Sequence, residues 1–397
     1  MIVVMNNRFL HPRTSAAPAP SDAGAPHPYR ALALRLPFLL LLPLGFFLPR
    51  FFAGRVDWIE TVYCARIYPA VRSVLSALTG WFSFSLAEWL LYALVIGAAL
   101  LLLAQLVRAV CRRIPLHRFL RALLSVCIAG GVLLNLFYFT WGLCYFRQPL
   151  ASRMELPIEA RSVDELASLT ELLARRAAAL RPQVSEDASG VFTTDTDAAF
   201  AALPAAYDAL GQAFPVFSGS VTPAKRVCWS EGLSWLGIAG IYIGLTAEPN
   251  VNVHQPPLLI PAGAAHEMAH QLGLASENEA EFAAILACAL SADPAVRYSG
   301  AMHALLLCGN ALSRVDAARY TEIVRSLYTD GMRRDLADYS AYWDAYEGKA
   351  QETATTVNDN YLKHNAQPSG VASYGESVDL LLALEAETAF FAQHAPV

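Results

Sequence analysis

Residues His266-Glu-Met-Ala-His270 set two imidazoles four positions apart with a carboxylate between them. On a helix, positions i and i+4 lie on one face, so His266 and His270 can hold one metal ion. Glu267 then stands beside that ion, placed to take a proton from a bound water, which is the HExxH zinc pattern. Gln271-Leu-Gly273 follows, with a glycine suited to ending the helix. A second, acidic helix is expected next. Ser276 reads as its N-cap and Glu279 as the partner in a capping box. Glu277 and Glu281 share one face of it, while Phe282, Ile285 and Leu286 turn toward a core. Two histidines from one helix and a carboxylate from another leave zinc the open position of a catalytic site. The expected ligands are therefore His266, His270 and Glu277, with Glu267 as general base and Glu281 orienting a ligand from behind. Glu279 competes for the place of third ligand. The chemistry expected is peptide-bond hydrolysis by a zinc-activated water. Two other readings stand beside it: an incidental histidine pair on a helix–turn–helix, or a non-catalytic zinc-binding envelope protein acting as a scaffold or partner-binding module. A purely structural site has no use for Glu267.

The elements that must position these residues are legible in part. Ile238 to Leu245 is β-branched, aromatic and punctuated by glycine, which predicts a strand. Its place before the motif suits an edge to which a peptide substrate adds as a further strand. Glu248, Asn250 and Asn252 then either contact substrate or support the start of the metal helix. His254 is expected to be an exposed loop histidine. Tyr361 and Tyr374 are candidates for a phenol donating to the oxyanion. Ser162-Val-Asp-Glu165 opens a helix to Leu180, a second runs from Asp197 to Phe214, and a polar loop joins them. Helical texture returns from Pro261 to Tyr328 and again from Ser377 to Gln393. The chain has no GxSxG, no P-loop and no dinucleotide fingerprint.

The chain has 397 residues and a formal charge of −5, with 55% hydrophobic and 16% charged residues. Soluble domains carry roughly 25% charged residues. The mean hydropathy of +0.36 agrees. An acidic balance without basic–aromatic interleaving excludes a nucleic-acid partner. The apolar excess lies early, in Ala31 to Ala53, Phe84 to Val107 and Phe119 to Leu143, each long enough to cross a bilayer. Arg108, Arg112, Arg113, Arg118 and Arg121 crowd the link between the second and third runs, which the positive-inside rule assigns to the cytoplasm. Residues 1–30 read as a disordered cytoplasmic tail, 31–145 as a three-helix transmembrane region, and 146–397 as an extracytoplasmic domain. Seven cysteines without CxxC pairing read as single buried thiols.

The sequence resembles an uncharacterised bacterial family of membrane-anchored, zincin-like proteins, a domain-of-unknown-function family. The resemblance runs from Tyr63 to Leu384. It is carried by Trp141-Gly-Leu-Cys-Tyr-Phe-Arg147, Gly240-Ile-Tyr242, Thr246-Ala-Glu-Pro-Asn-Val-Asn252, His266 to Gly273, Glu277-Asn-Glu-Ala280 and Val371-Ala-Ser-Tyr-Gly375 leading to Val378 through Leu382. The family pattern has Gly where this chain has Ala247, and commonly Asn where it has Glu281. The resemblance implies a zinc metallopeptidase without an established substrate. More distantly, a Glu-x-x-Ala segment after HExxH is similar to zinc peptidases that use that first Glu as third ligand, which again points to Glu277. The expected fold is mainly α: three N-terminal transmembrane helices, then an α+β zincin-like domain with a short edge strand. The expected setting is a bacterial inner membrane, with one zinc ion per chain, the lipid bilayer, and a peptide or protein substrate as partners.

Overall fold

The computed structural model describes residues 29–111 and 115–394. The expected tail up to residue 28, and Arg112 and Arg113 of the basic link, lie outside the described residues.

Two of the three apolar runs form long straight helices, Leu86–Val110 and Leu116–Thr140, each long and apolar enough to cross a membrane. At 1.5 Å per residue, 25 residues reach about 37 Å, more than the ~30 Å of a hydrocarbon core. The first run differs from the expectation of a third straight span. It begins as a 3-10 turn, Leu36–Leu40, and continues as the helix Leu41–Phe52 (α1). It then breaks at Gly54-Arg55 and turns by 100° into a helical stretch, Val56–Thr79. Pro37, Pro43 and Pro49 each remove a backbone donor, which shortens the regular helix. The count is two membrane-length helices, or three if the bent pair is one span. Within Val56–Thr79, residues Ile59–Ile67 are wound as a π-helix and Tyr68–Thr79 (α2) as an α-helix. We number Leu86–Val110 as α3 and Leu116–Thr140 as α4. Asn135, the polar residue inside the third run, donates to the carbonyl of Leu41 at 2.7 Å and so ties α4 to α1.

Beyond α4 the chain is again mainly helical. Val163–Leu180 (α5) opens with the expected capping box between Ser162 and Glu165, and Thr196–Ala213 (α6) is capped by Asp195. Three short strands follow: Lys225–Arg226 (β1), Gly240–Ile243 (β2) and Glu248–Val251 (β3), in the order β1-β3-β2. β1 runs parallel to the central β3, and β2 antiparallel to it, with Gly240 opposite Val251 and Ile243 opposite Glu248. β2 is thus an edge strand.

The remaining long helices are Ile260–Gln271 (α7), Glu277–Leu290 (α8), Pro294–Val315 (α9), Ala317–Leu327 (α10), Asp330–Tyr346 (α11), Lys349–His364 (α12) and Ser377–Thr388 (α13), with short ones at Leu150–Arg153, Ser230–Trp235 and Phe390–Gln393. The helix expected to run on to Gln393 is interrupted at Ala389, which adopts φ 50. α8 is buried along its length; beyond Glu281 it is apolar all round, as a helix buried on every side must be. α5, α6, α7, α9 and α13 all pack on it or on its neighbours, so one hydrophobic core holds both metal-site helices. All seven cysteines are free thiols, with Cys64 and Cys144 approaching to 4.0 Å.

Candidate metal centre

α7 is built from Ala262, Ala264, Ala265 and Ala269 around the two histidines, so neighbouring elements approach its backbone closely; every one of these residues is buried. It ends at Gly273, whose φ of 80 is the left-handed conformation that only glycine adopts without strain. The last carbonyls of a helix lack intrahelical donors, and here membrane-side residues supply them. Trp141, just past α4, donates its Nε1 to the His270 carbonyl at 3.0 Å. Tyr68 and Arg72 of α2 both donate to the Gln271 carbonyl at 2.9 Å.

His266, His270 and Glu277 bring one ligand atom each within 4.8 Å of one another, and among the described residues no other His/Cys/Asp/Glu group converges in this way. His266 Nε2 lies 3.1 Å, and His270 Nε2 3.5 Å, from the same Glu277 oxygen, Oε2. Four donors placed tetrahedrally at 2.0–2.2 Å around one ion stand about 3.3 Å apart, which the two distances to Glu277 Oε2 match, so the three residues could hold a metal ion. Their outer atoms are held as well. His270 Nδ1 donates to the Leu274 carbonyl at 2.7 Å, which fixes the tautomer with Nε2 free to ligate. His266 Nδ1 faces Glu281 Oε1 at 3.5 Å, and Glu281 Oε2 in turn meets His303 Nε2 at 2.9 Å. His303 is on α9, where no neighbouring residue in the chain marks it as part of this group.

Burial would lower the His266 imidazole. The hydrogen bond it donates to Glu277 and the charges of Glu281, Glu267 and Glu277 outweigh it and carry the group to about 9. Burial likewise pushes Glu277 up, but the two imidazoles hold it far below the usual carboxylate range. Glu267 has no such partner, and burial raises it to about 7 against the opposing pull of both histidines. Its carboxyl lies under the start of β2. A Cβ added at Gly240 would stand 2.6 Å from Glu267 Oε1, so glycine there makes room for the acid.

Other candidate residues face elsewhere. Glu279 accepts from the Leu150 amide at 2.6 Å and pairs with Arg153 at 3.3 Å. The expected capping box is not formed: Ser276 makes no side-chain cap bond, because Glu279 is drawn to the open amide and guanidinium of the Leu150–Arg153 turn. Glu248 accepts from the amides of Leu86 and Ala87 at 3.1 and 2.7 Å, which caps α3, and pairs with Lys225 at 2.6 Å. Asn250 donates to the Ile241 and Glu248 carbonyls, and Asn252 to Ser234 and the Ile238 carbonyl. Glu248 thus ties the sheet to α3, while Asn250 and Asn252 brace the sheet itself. Ala247, between β2 and β3, has φ 55, a conformation that explains why glycine suits this position.

His254 faces Tyr342 at 2.7 Å. Tyr361 of α12 is near enough to Glu277 that this charge, added to the larger effect of burial, pushes its phenol up. Tyr374 falls in the turn Gly370–Glu376, and its side chain lies outside the described residues.

A family model described as "Protein of unknown function (DUF3810)" matches residues 63–382. No curated protein and no solved structure matches the chain.

Proposed function

The chain belongs to the DUF3810 family, and from that premise we propose that it is a membrane-anchored zinc metallopeptidase with a zincin-like catalytic domain outside the cytoplasm of a bacterial cell. The observation that carries this reading is the convergence of His266, His270 and Glu277 next to a buried Glu267 and an edge strand. A zinc ion held by these three ligands would supply a water of lowered pKa and polarise the scissile carbonyl.

The chain's own residues do the rest. The exposed edge of β2 accepts an extended peptide as an added strand, which lays its backbone beside α7. Glu267 takes a proton from the attacking water and hands it to the departing amine, a transfer for which a carboxyl near 7 is well matched. Glu281, His303 and the Leu274 carbonyl hold the imidazoles in their ligating orientation. Tyr361, whose phenol feels the Glu277 charge, is our candidate to donate its O–H where negative charge develops. A scaffold with a structural zinc is the poorer fit, because it leaves a buried acid without a partner or a task.

The test is hydrolysis of a mixed peptide pool by the full-length protein reconstituted with zinc, compared with Glu267→Gln. New peptide N-termini with wild type, lost in Glu267→Gln at equal zinc content, support the proposal. Equal behaviour of the two proteins contradicts it.

A further inference from the structure

α3 carries Glu88 in its first turn and Arg108 in its last, 20 positions or about 30 Å apart, which matches the hydrocarbon core of a bilayer. α4 carries Arg118 and Arg121 at one end and Tyr138 and Trp141 at the other. Glu88 and Trp141 therefore mark the same membrane surface, on the side of the metal centre.

The stretch that leads into the edge strand is pinned to these two marks. The amides of Cys228 and Trp229 donate to the Glu88 carboxylate at 2.7 and 2.9 Å. At the far end of β2, a Cβ added at Gly244 would stand 2.4 Å from the Trp141 Cβ, and the Tyr242 ring packs 5.3 Å from that of Trp141. Between Val227 and Ala247 the only charged residue is Glu231. Apart from Glu231, which is also exposed, the large side chains facing out along it are apolar: Trp229 is 62% and Trp235 51% exposed, and Leu236 and Ile241 are exposed as well. Trp81, in the link that leads into α3, is 88% exposed. Tryptophan with one apolar and one polar end is suited to the headgroup level. Apolar side chains left open at the level where two membrane helices end meet lipid, not water.

We infer that the segment Trp229–Ile243 lies in the bilayer surface, and that the metal centre acts on polypeptides anchored in the same membrane, cutting them close to the point where they leave it. The substrate half of this inference rests on the metallopeptidase reading; the surface half does not. A soluble peptide must find β2 at a lipid surface. An anchored chain emerges beside it, where its first extended residues can pair with the strand edge.

Two measurements on full-length protein in proteoliposomes test it. The first is tryptophan quenching by phosphatidylcholine brominated near the headgroup end of its acyl chains, for wild type and for the double variant Trp229→Phe, Trp235→Phe. A drop in the lipid-quenched signal by the share of Trp229 and Trp235, with that of Trp81 and Trp89 remaining, is expected in the double variant, and unchanged quenching overturns the inference. The second compares cleavage of a mixed peptide pool free in solution with the same pool fused to a single membrane span by short or long flexible spacers. Cleavage of the short-spacer pool above the others is expected. Equal cleavage of free and anchored pools overturns the substrate assignment and leaves the peptidase reading standing. No cleavage of any pool by zinc-loaded protein overturns the peptidase reading and with it the substrate assignment, and quenching then decides the surface alone.

Discussion

Glu281 and His303 reach the metal centre only through His266, so their loss weakens the site without removing a ligand. Glu281→Gln and His303→Ala are each expected to lower zinc affinity by about 10–100-fold, measured by competition with a chelator; unchanged affinity would mean that His266 is oriented by its ring packing against His270 alone. Gly240→Ala tests a different contact. The added methyl would press on Glu267, and a displaced base of about 1 Å can cost roughly 100-fold in rate. The expected outcome is that loss in kcat/KM at full zinc content. The residues that converge were legible because one helical period sets each pair: His266 with His270, Glu277 with Glu281. His303 was not, since a lone histidine in an Ala/Leu helix has no neighbour in sequence to declare its partner. Glu279 was misread for the opposite reason. Its spacing from Ser276 suited a capping box, but the amide of Leu150 and Arg153, both remote in sequence, took its carboxylate.

Between elements, the strongest tie is Glu248, which joins β3, β1 and the first turn of α3. Its side chain and that of Lys225 are almost wholly buried. Removing one partner of such a pair costs roughly 3–5 kcal/mol, because the other is left as an uncompensated charge. Glu248→Ala is therefore expected to lower the Tm in detergent markedly while the folded protein keeps its zinc. Loss of zinc with an unchanged Tm would return Glu248 to the metal site. The helices α5 and α6 and the strand β2 followed from caps and periodicity, which are local signals. The helix Tyr68–Thr79 did not. Its segment lies between apolar runs and mixes Arg66 and Arg72 with tyrosines, so it reads as a link. It is α2 that supplies Tyr68 and Arg72 to the end of α7. The bend after Phe52 was hidden likewise, because a hydropathy run registers apolarity and not direction.

Across the whole molecule, α2 and the outer end of α4 bind the same end of α7. On the proposed reading, residues 56–79 and the chain beyond residue 146 then share one side of the membrane, with the Arg-rich link between α3 and α4 on the other. A reporter enzyme active only outside the cytoplasm is expected to be active when fused after Val397 and inactive when fused after Arg113; the reverse pattern would invert the orientation drawn from the positive-inside rule. Composition marks the apolar runs, but the seating of α7 on Trp141 and Tyr68 depends on contacts about 130 and 200 residues apart, beyond any local pattern. The most direct test of the central claim is the zinc content of the purified full-length protein by elemental analysis, for wild type beside His266→Ala, Glu277→Ala, Glu279→Ala and Glu267→Gln. The account predicts about one zinc per chain in the wild type, lost in His266→Ala and Glu277→Ala and kept in Glu279→Ala and Glu267→Gln. A wild type that holds no zinc after metal repletion would contradict it.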